Sequence, residues 1–150
     1  MSPTQLKINT RDFGEITVPN DRIVHFPNGI YAFEELHSFV LLSPLGEEEY
    51  PMWLQSAEQP ELCFIVFDPA KVTGEYAPLA GEEALRALDY SEGDELQYFV
   101  IAVIPEEYKK ATVNLKSPVV INKARAKGVQ IILEGDYMLR HPIFETKGDG

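Results

Sequence analysis

A mainly β, single-domain, antiparallel barrel-like fold with one short helix is what this sequence predicts, and three observations carry that expectation. Short β-branched or alternating runs recur along the chain, separated by turn-forming Gly, Pro, Asn and Asp. Two later runs are apolar almost without interruption, as in strands buried on both faces. One stretch has the spacing of an amphipathic helix. The 150 residues, 45% of them hydrophobic, are enough to close a core without a disulfide or metal. They suit one domain, with a core over about residues 6–144 and frayed ends at 1–4 and 145–150.

In chain order, runs 8–10, 14–18 and 22–26 read as the start of an antiparallel meander, broken by Asp-Phe-Gly and Pro-Asn-Asp. Pro27-Asn28-Gly29 ends the third run, and Tyr31, Phe33, Leu36 and Phe39 have mixed spacing that suits one helical turn before a strand at 39–42. Further strands are expected at 52–55, 63–67 and 96–104, the last two being the continuous apolar runs. The helix is expected at 81–88, where Ala84, Leu85 and Leu88 share a face and Glu82 and Glu83 lie near the N-terminus. Such a helix plugs a barrel opening or covers a sheet face. Runs 113–115, 119–122 and 128–133 complete the strands, and the basic turn 124–128 offers Gly128 for a positive φ.

The formal charge is −11, and it is unevenly spread: residues 1–107 hold 5 Lys/Arg against 20 Asp/Glu, and residues 108–150 hold 8 against 4. A strongly acidic chain repels nucleic-acid phosphates and anionic lipid, so neither is expected as a direct partner. The balance fits a solvated surface or a basic protein partner, one that itself binds RNA or DNA. Glu47, Glu48 and Glu49, together with Glu106 and Glu107, are candidate contributors to that surface. With no signal peptide read at the start, no long apolar span and the lone Cys63, a reducing cytoplasm is the expected compartment.

The search for reaction chemistry finds none. His25, His37 and His141 have no second ligand at metal-binding spacing, and Cys63 lies in an aliphatic run where a thiol is inert packing. No serine has nucleophile-elbow neighbours, and no glycine-rich phosphate loop occurs. The acidic turn 89–94 lacks the glycine and glutamate positions of a calcium loop. No enzyme activity, cofactor or metal is therefore expected. Trp53 is read as a core anchor rather than an interface anchor. Asn114 and Lys116, in Asn114-Leu115-Lys116-Ser117-Pro118, occupy a turn on a rigid scaffold where partners are also read.

In order along the chain, the following strings closely resemble the bacterial flagellar assembly factor FliW family: Ile8-Asn9-Thr10-Arg11-Asp12-Phe13-Gly14, His25-Phe26-Pro27-Asn28-Gly29-Ile30, Phe33-Glu34, Trp53-Leu54-Gln55-Ser56, Asp68-Pro69, the run from Asn114 to Asn122, and Leu139-Arg140-His141-Pro142. The resemblance implies a small cytoplasmic β-barrel-like protein without enzymatic activity that binds newly made flagellin and sequesters the translational repressor CsrA, so that the two partners switch. The alternative is a chaperone-like protein that binds flagellin and has no role in translation. Where the family commonly has Pro-Gly before Phe-Glu, this chain has Tyr31-Ala32, which puts a tight turn there in question.

Overall fold

The computed structural model describes residues 5–46, 51–73, 76, 78 and 80–144. It opens on a hairpin, β1 (Gln5–Thr10) with β2 (Gly14–Pro19), in register from Gln5↔Pro19 to Thr10↔Gly14. Then β3 (Ile23–His25), β4 (Ser38–Leu42), β5 (Met52–Ser56), β6 (Cys63–Phe67) and β7 (Leu96–Val103) form an antiparallel meander. Between the last two lies α1 (Glu82–Ala87). After β7 come β8 (Thr112–Val113), β9 (Val119–Asn122), β10 (Lys127–Gln130) and β11 (His141–Pro142).

The sheet closes because β9 pairs with the first half of β7 as well as with β10, and β10 returns to β3. The ring β3-β4-β5-β6-β7-β9-β10 is a seven-stranded barrel. An odd ring cannot be antiparallel at every seam. The exception falls at β3 and β10, which run parallel with Lys127 opposite His25 and the His25 N–H donating to the Ala126 carbonyl at 2.9 Å.

Side chains alternate across the wall as the pleat requires. Phe26, Phe39, Leu54, Val66, Phe99, Val119 and Ile121 fill the interior, with Phe26 and Phe39 meeting edge to face at 5.2 Å. Residues of the opposite parity face outward and are covered by other parts of the chain. The hairpin lays Ile8 and Val18 on Val40. The helix, entered through Gly81 with Glu82 and Glu83 in its first turn, lays Ala84 and Leu88 on Val120 and Val129. It thus covers a sheet face rather than plugging an opening.

Three expectations are corrected. First, no helical turn forms between Tyr31 and Phe39; tight turns replace it, with Phe33 N–H donating to the Ile30 carbonyl and Leu36 N–H to the Phe33 carbonyl at 3.1 Å. The tight turn survives without Pro-Gly: Ala32 sits at φ +76°, the value of the third position of a type II turn, and Tyr31 protrudes at 51% exposure. Ala32→Gly is therefore expected to raise the unfolding free energy by about 1 kcal/mol, because glycine reaches that φ without a Cβ clash. A higher denaturation midpoint at unchanged m-value checks it.

Second, the positive φ of the β9–β10 turn falls at Ala126, at +54°, and not at Gly128. Gly128 lies within β10 opposite Ile121. It is needed for close approach: a Cβ there would stand 2.5 Å from Cζ of the Phe26 ring. Third, the apolar run that forms β7 is not buried to its end, since Val103 and Ile104 are 65% and 45% exposed. The frayed ends expected at 1–4 and 145–150 fall outside the described residues.

Candidate partner-binding surfaces

With Met52 and Leu54 facing the barrel interior, the pleat turns Trp53 and Gln55 outward, toward the loop of the β1–β2 hairpin. Gln55 is fully buried there. Its Oε1 accepts from the Arg11 N–H at 2.9 Å, and its Nε2 donates to the carbonyls of Ser56, Pro60 and Leu62 at 3.0–3.1 Å. The Arg11 guanidinium reaches the Cys63 carbonyl at 3.1 Å and the Asp12 carboxylate at 2.8 Å. Asp12 in turn accepts from the Trp53 indole N–H at 2.9 Å, and Phe13 meets the indole edge to face at 5.4 Å. Hydrogen bonding to Arg11 holds the Asp12 carboxyl below its ordinary range.

Trp53 is thus a partly exposed anchor on the outer wall, not the core anchor that its apolar neighbours suggested. The string Arg11-Asp12-Phe13 and the string Trp53-Leu54-Gln55-Ser56 meet here, which their separation in sequence does not reveal.

The other site candidates fall as follows. Glu47, Glu48 and Glu49 lie outside the described residues. Glu106 and Glu107 are exposed in the loop after β7, and Glu107 pairs with Lys110 at 3.6 Å. Asn114 folds its own turn, its Oδ1 accepting from the N–H groups of Lys116 and Ser117 at 2.9 and 3.1 Å. Lys116 spans to the Gly135 carbonyl at 3.0 Å. For Asn114 and Lys116 the structure supplies a structural role.

Cys63 is buried, and desolvation pushes its thiol up to about 11, so it stays protonated at neutral pH. His25 and His37 stack with ring centroids 5.8 Å apart, a juxtaposition their sequence spacing does not announce, and His37 Nδ1 lies 2.8 Å from the Phe26 carbonyl. Among the described residues no group of three or more His, Cys, Asp or Glu is placed to hold a metal ion. No described helix is long and apolar enough to cross a membrane.

Asp94, in the acidic turn, is a structural joint. It accepts from Asn122 Nδ2 at 3.1 Å, the Ser91 N–H at 2.9 Å and Arg125 Nε at 3.0 Å, and these bonds, that from Asn122 foremost, hold its carboxyl near 2 against an ordinary 3.8. A carboxylate depressed in the folded state contributes stability that is fully present above the unfolded value and is lost as pH falls through the folded one. Asp94→Asn is therefore expected to lower Tm at neutral pH, with the difference from the wild type shrinking between pH 4 and pH 2. A Tm difference that is constant over that window would contradict this role.

Taken together, these features define a small closed β-barrel that carries polar and aromatic side-chain groupings on its outer wall and loops. Residues 7–143 match the family model described as FliW protein, and the chain belongs to the FliW family. Curated relatives named flagellar assembly factor FliW include that of Caldanaerobacter subterraneus subsp. tengcongensis, 40% identical over 93% of this chain and 94% of that protein. The protein of the same name from Thermoanaerobacter pseudethanolicus is 38% identical over 93% of this chain and 94% of its own length. A crystal structure of the flagellar assembly factor FliW superposes with a TM-score of 0.86 at 31% identity, covering 95% of this chain and 99% of that one.

Proposed function

We propose that this protein acts in the cytoplasm as a two-partner regulator, binding flagellin and sequestering the translational repressor CsrA, so that accumulating flagellin releases CsrA to repress translation of its message. Family membership supports a flagellar role. The observation that carries the finer reading is the segregation of charge, net −15 over residues 1–107 against +4 over 108–150. An acidic balance of that size over most of the chain suits a basic, RNA-binding protein. It does not suit RNA itself, whose phosphates it repels. Chaperone-like binding of flagellin alone, with no effect on translation, is the competing reading.

Charge complementarity acts chiefly on association rate and is screened by salt. The on-rate for CsrA is expected to fall as ionic strength rises to the physiological range, and reversal to Lys of Glu47, Glu48 and Glu49, or of Glu106 and Glu107, is expected to weaken its binding. Linkage requires that the factor by which flagellin weakens CsrA binding equal the factor by which CsrA weakens flagellin binding. The deciding experiment challenges a preformed complex with CsrA using flagellin. Displacement with reciprocal loss of affinity is expected. A ternary complex with unchanged affinities would rule out the switch, and binding of flagellin without any binding of CsrA would leave the chaperone-like reading.

A further inference from the structure

His25 ends β3 and His37 immediately precedes β4, so the two histidines stand on either side of the loop that joins these strands. That loop turns back onto the barrel: Ile30 and Leu36 are buried in the interior cluster, and Phe33 meets Phe64 edge to face at 5.7 Å. Its two ends are tied at a neck. The Phe26 N–H donates to the His37 carbonyl at 2.7 Å, and Glu58 Oε1 accepts from the N–H groups of His37 and Ser38 at 2.6 and 2.9 Å. These bonds bring the two imidazoles together, with ring centroids 5.8 Å apart and planes inclined by 26°.

The hydrogen bonding of His37 leaves one of its ring nitrogens open. A carbonyl oxygen can only accept, so Nδ1, 2.8 Å from the Phe26 carbonyl, carries the proton. In the neutral ring Nε2 then keeps a free lone pair, and a metal-bound histidine is held in the same way, by a second-nitrogen bond to a backbone carbonyl. His25 is exposed, so its ring can turn to present either nitrogen. Two imidazoles that share one zinc, each bound at ~2.0–2.1 Å through a ring nitrogen, have centroids about 5–6 Å apart. The observed separation lies in that span.

The charges at the neck neither make a carboxylate site nor repel a cation. Glu58 is held there by its two backbone bonds, and Lys127 pairs with His25 across the parallel seam, one anion and one cation. Imidazole nitrogen suits zinc, copper and nickel, whereas magnesium and calcium take oxygen ligands.

We propose that His25 and His37 form a two-imidazole site for a divalent transition-metal ion of the zinc class at the neck of the β3–β4 loop, with water completing the coordination. An ion bound there links the end of β3 to the start of β4 and holds the loop against the barrel. With two protein ligands the site is weaker than a four-ligand structural one.

The test uses the full chain, free of any affinity tag and stripped of metal by a chelator, titrated with zinc chloride and, in parallel, with magnesium chloride. One zinc per chain is expected by calorimetry, with Tm raised by about 5 °C or more at a hundredfold excess over the dissociation constant. In proton NMR the ring signals of His25 and His37 are expected to move and those of His141 to stay. Magnesium is expected to do nothing. His25→Asn removes one ligand without touching the bond between His37 and the Phe26 carbonyl, and is expected to weaken zinc binding about tenfold or more in a folded protein. A wild type that binds no zinc overturns the site. Zinc binding undiminished in folded His25→Asn also overturns it, since the ion then sits elsewhere, and an equal response to magnesium overturns it by assigning the binding to carboxylates.

Discussion

Gly128→Ala is expected to destabilise the barrel by about 1–3 kcal/mol, the usual cost of forcing extra volume into a close-packed interior. The reason lies in one contact. The Cβ would stand 2.5 Å from Cζ and 2.7 Å from Cε1 of Phe26, a ring with no exposed surface that itself packs on Phe39. Neither side of the contact can retreat easily, because Gly128 is held opposite Ile121 in the β9–β10 ladder and β10 also closes the barrel against β3. Chemical denaturation measures the loss. A double-mutant cycle identifies its cause: Phe26→Leu removes part of the ring and is expected to make the Gly128→Ala cost smaller in its presence. Equal costs in both backgrounds would show that the clash is not the source.

Gln55→Leu is the second large effect, expected at about 3 kcal/mol, since each buried polar group left without its partner costs about 1–3 kcal/mol. Leucine approximates the volume of the glutamine but removes the acceptor for the Arg11 N–H and the donor shared by the Ser56, Pro60 and Leu62 carbonyls. The consequence extends beyond stability. Arg11 and Asp12 are positioned through that joint, and Asp12 and Phe13 hold the Trp53 indole. Loosening the hairpin loop should change the environment of the single tryptophan. A shift of its emission maximum in a folded Gln55→Leu protein is expected, and an unchanged spectrum alongside an unchanged denaturation midpoint would show that the joint carries little.

Much of the barrel was legible in the sequence because strand pattern and turn chemistry are local. Periodicity located the meander through β6, the amphipathic spacing of Ala84, Leu85 and Leu88 located α1, and Pro27-Asn28-Gly29 marked the end of β3. The errors share one cause. At Trp53, an apolar neighbourhood suggests burial, but parity in a strand is decided by which neighbours the closed sheet takes inside. At Gly128, a glycine in a basic turn suggests a need for φ freedom. The need was space for a ring 102 positions away in sequence. At Val103, a continuous apolar run suggests burial on both faces, yet it outlasts the barrel wall that covers its first half.

The candidate site was less legible still. Charge segregation and the family strings can be read directly from the letters. That Arg11-Asp12-Phe13 lies on Trp53, that Lys116 reaches the Gly135 carbonyl, and that Val103 is left uncovered where β7 pairs with β8 depend on pairings between distant segments.

The sequence by itself determined the class of fold, the single short helix, the asymmetry of charge and the family, because each is a property of local pattern, composition or ordered strings. Only the tertiary structure decided how the barrel closes, with a parallel seam between β3 and β10 that an odd number of strands requires. It also decided which face of each strand is outside and which outward side chains are left uncovered. Those outcomes depend on register between remote strands, and a shift of one residue would exchange the buried and exposed sets.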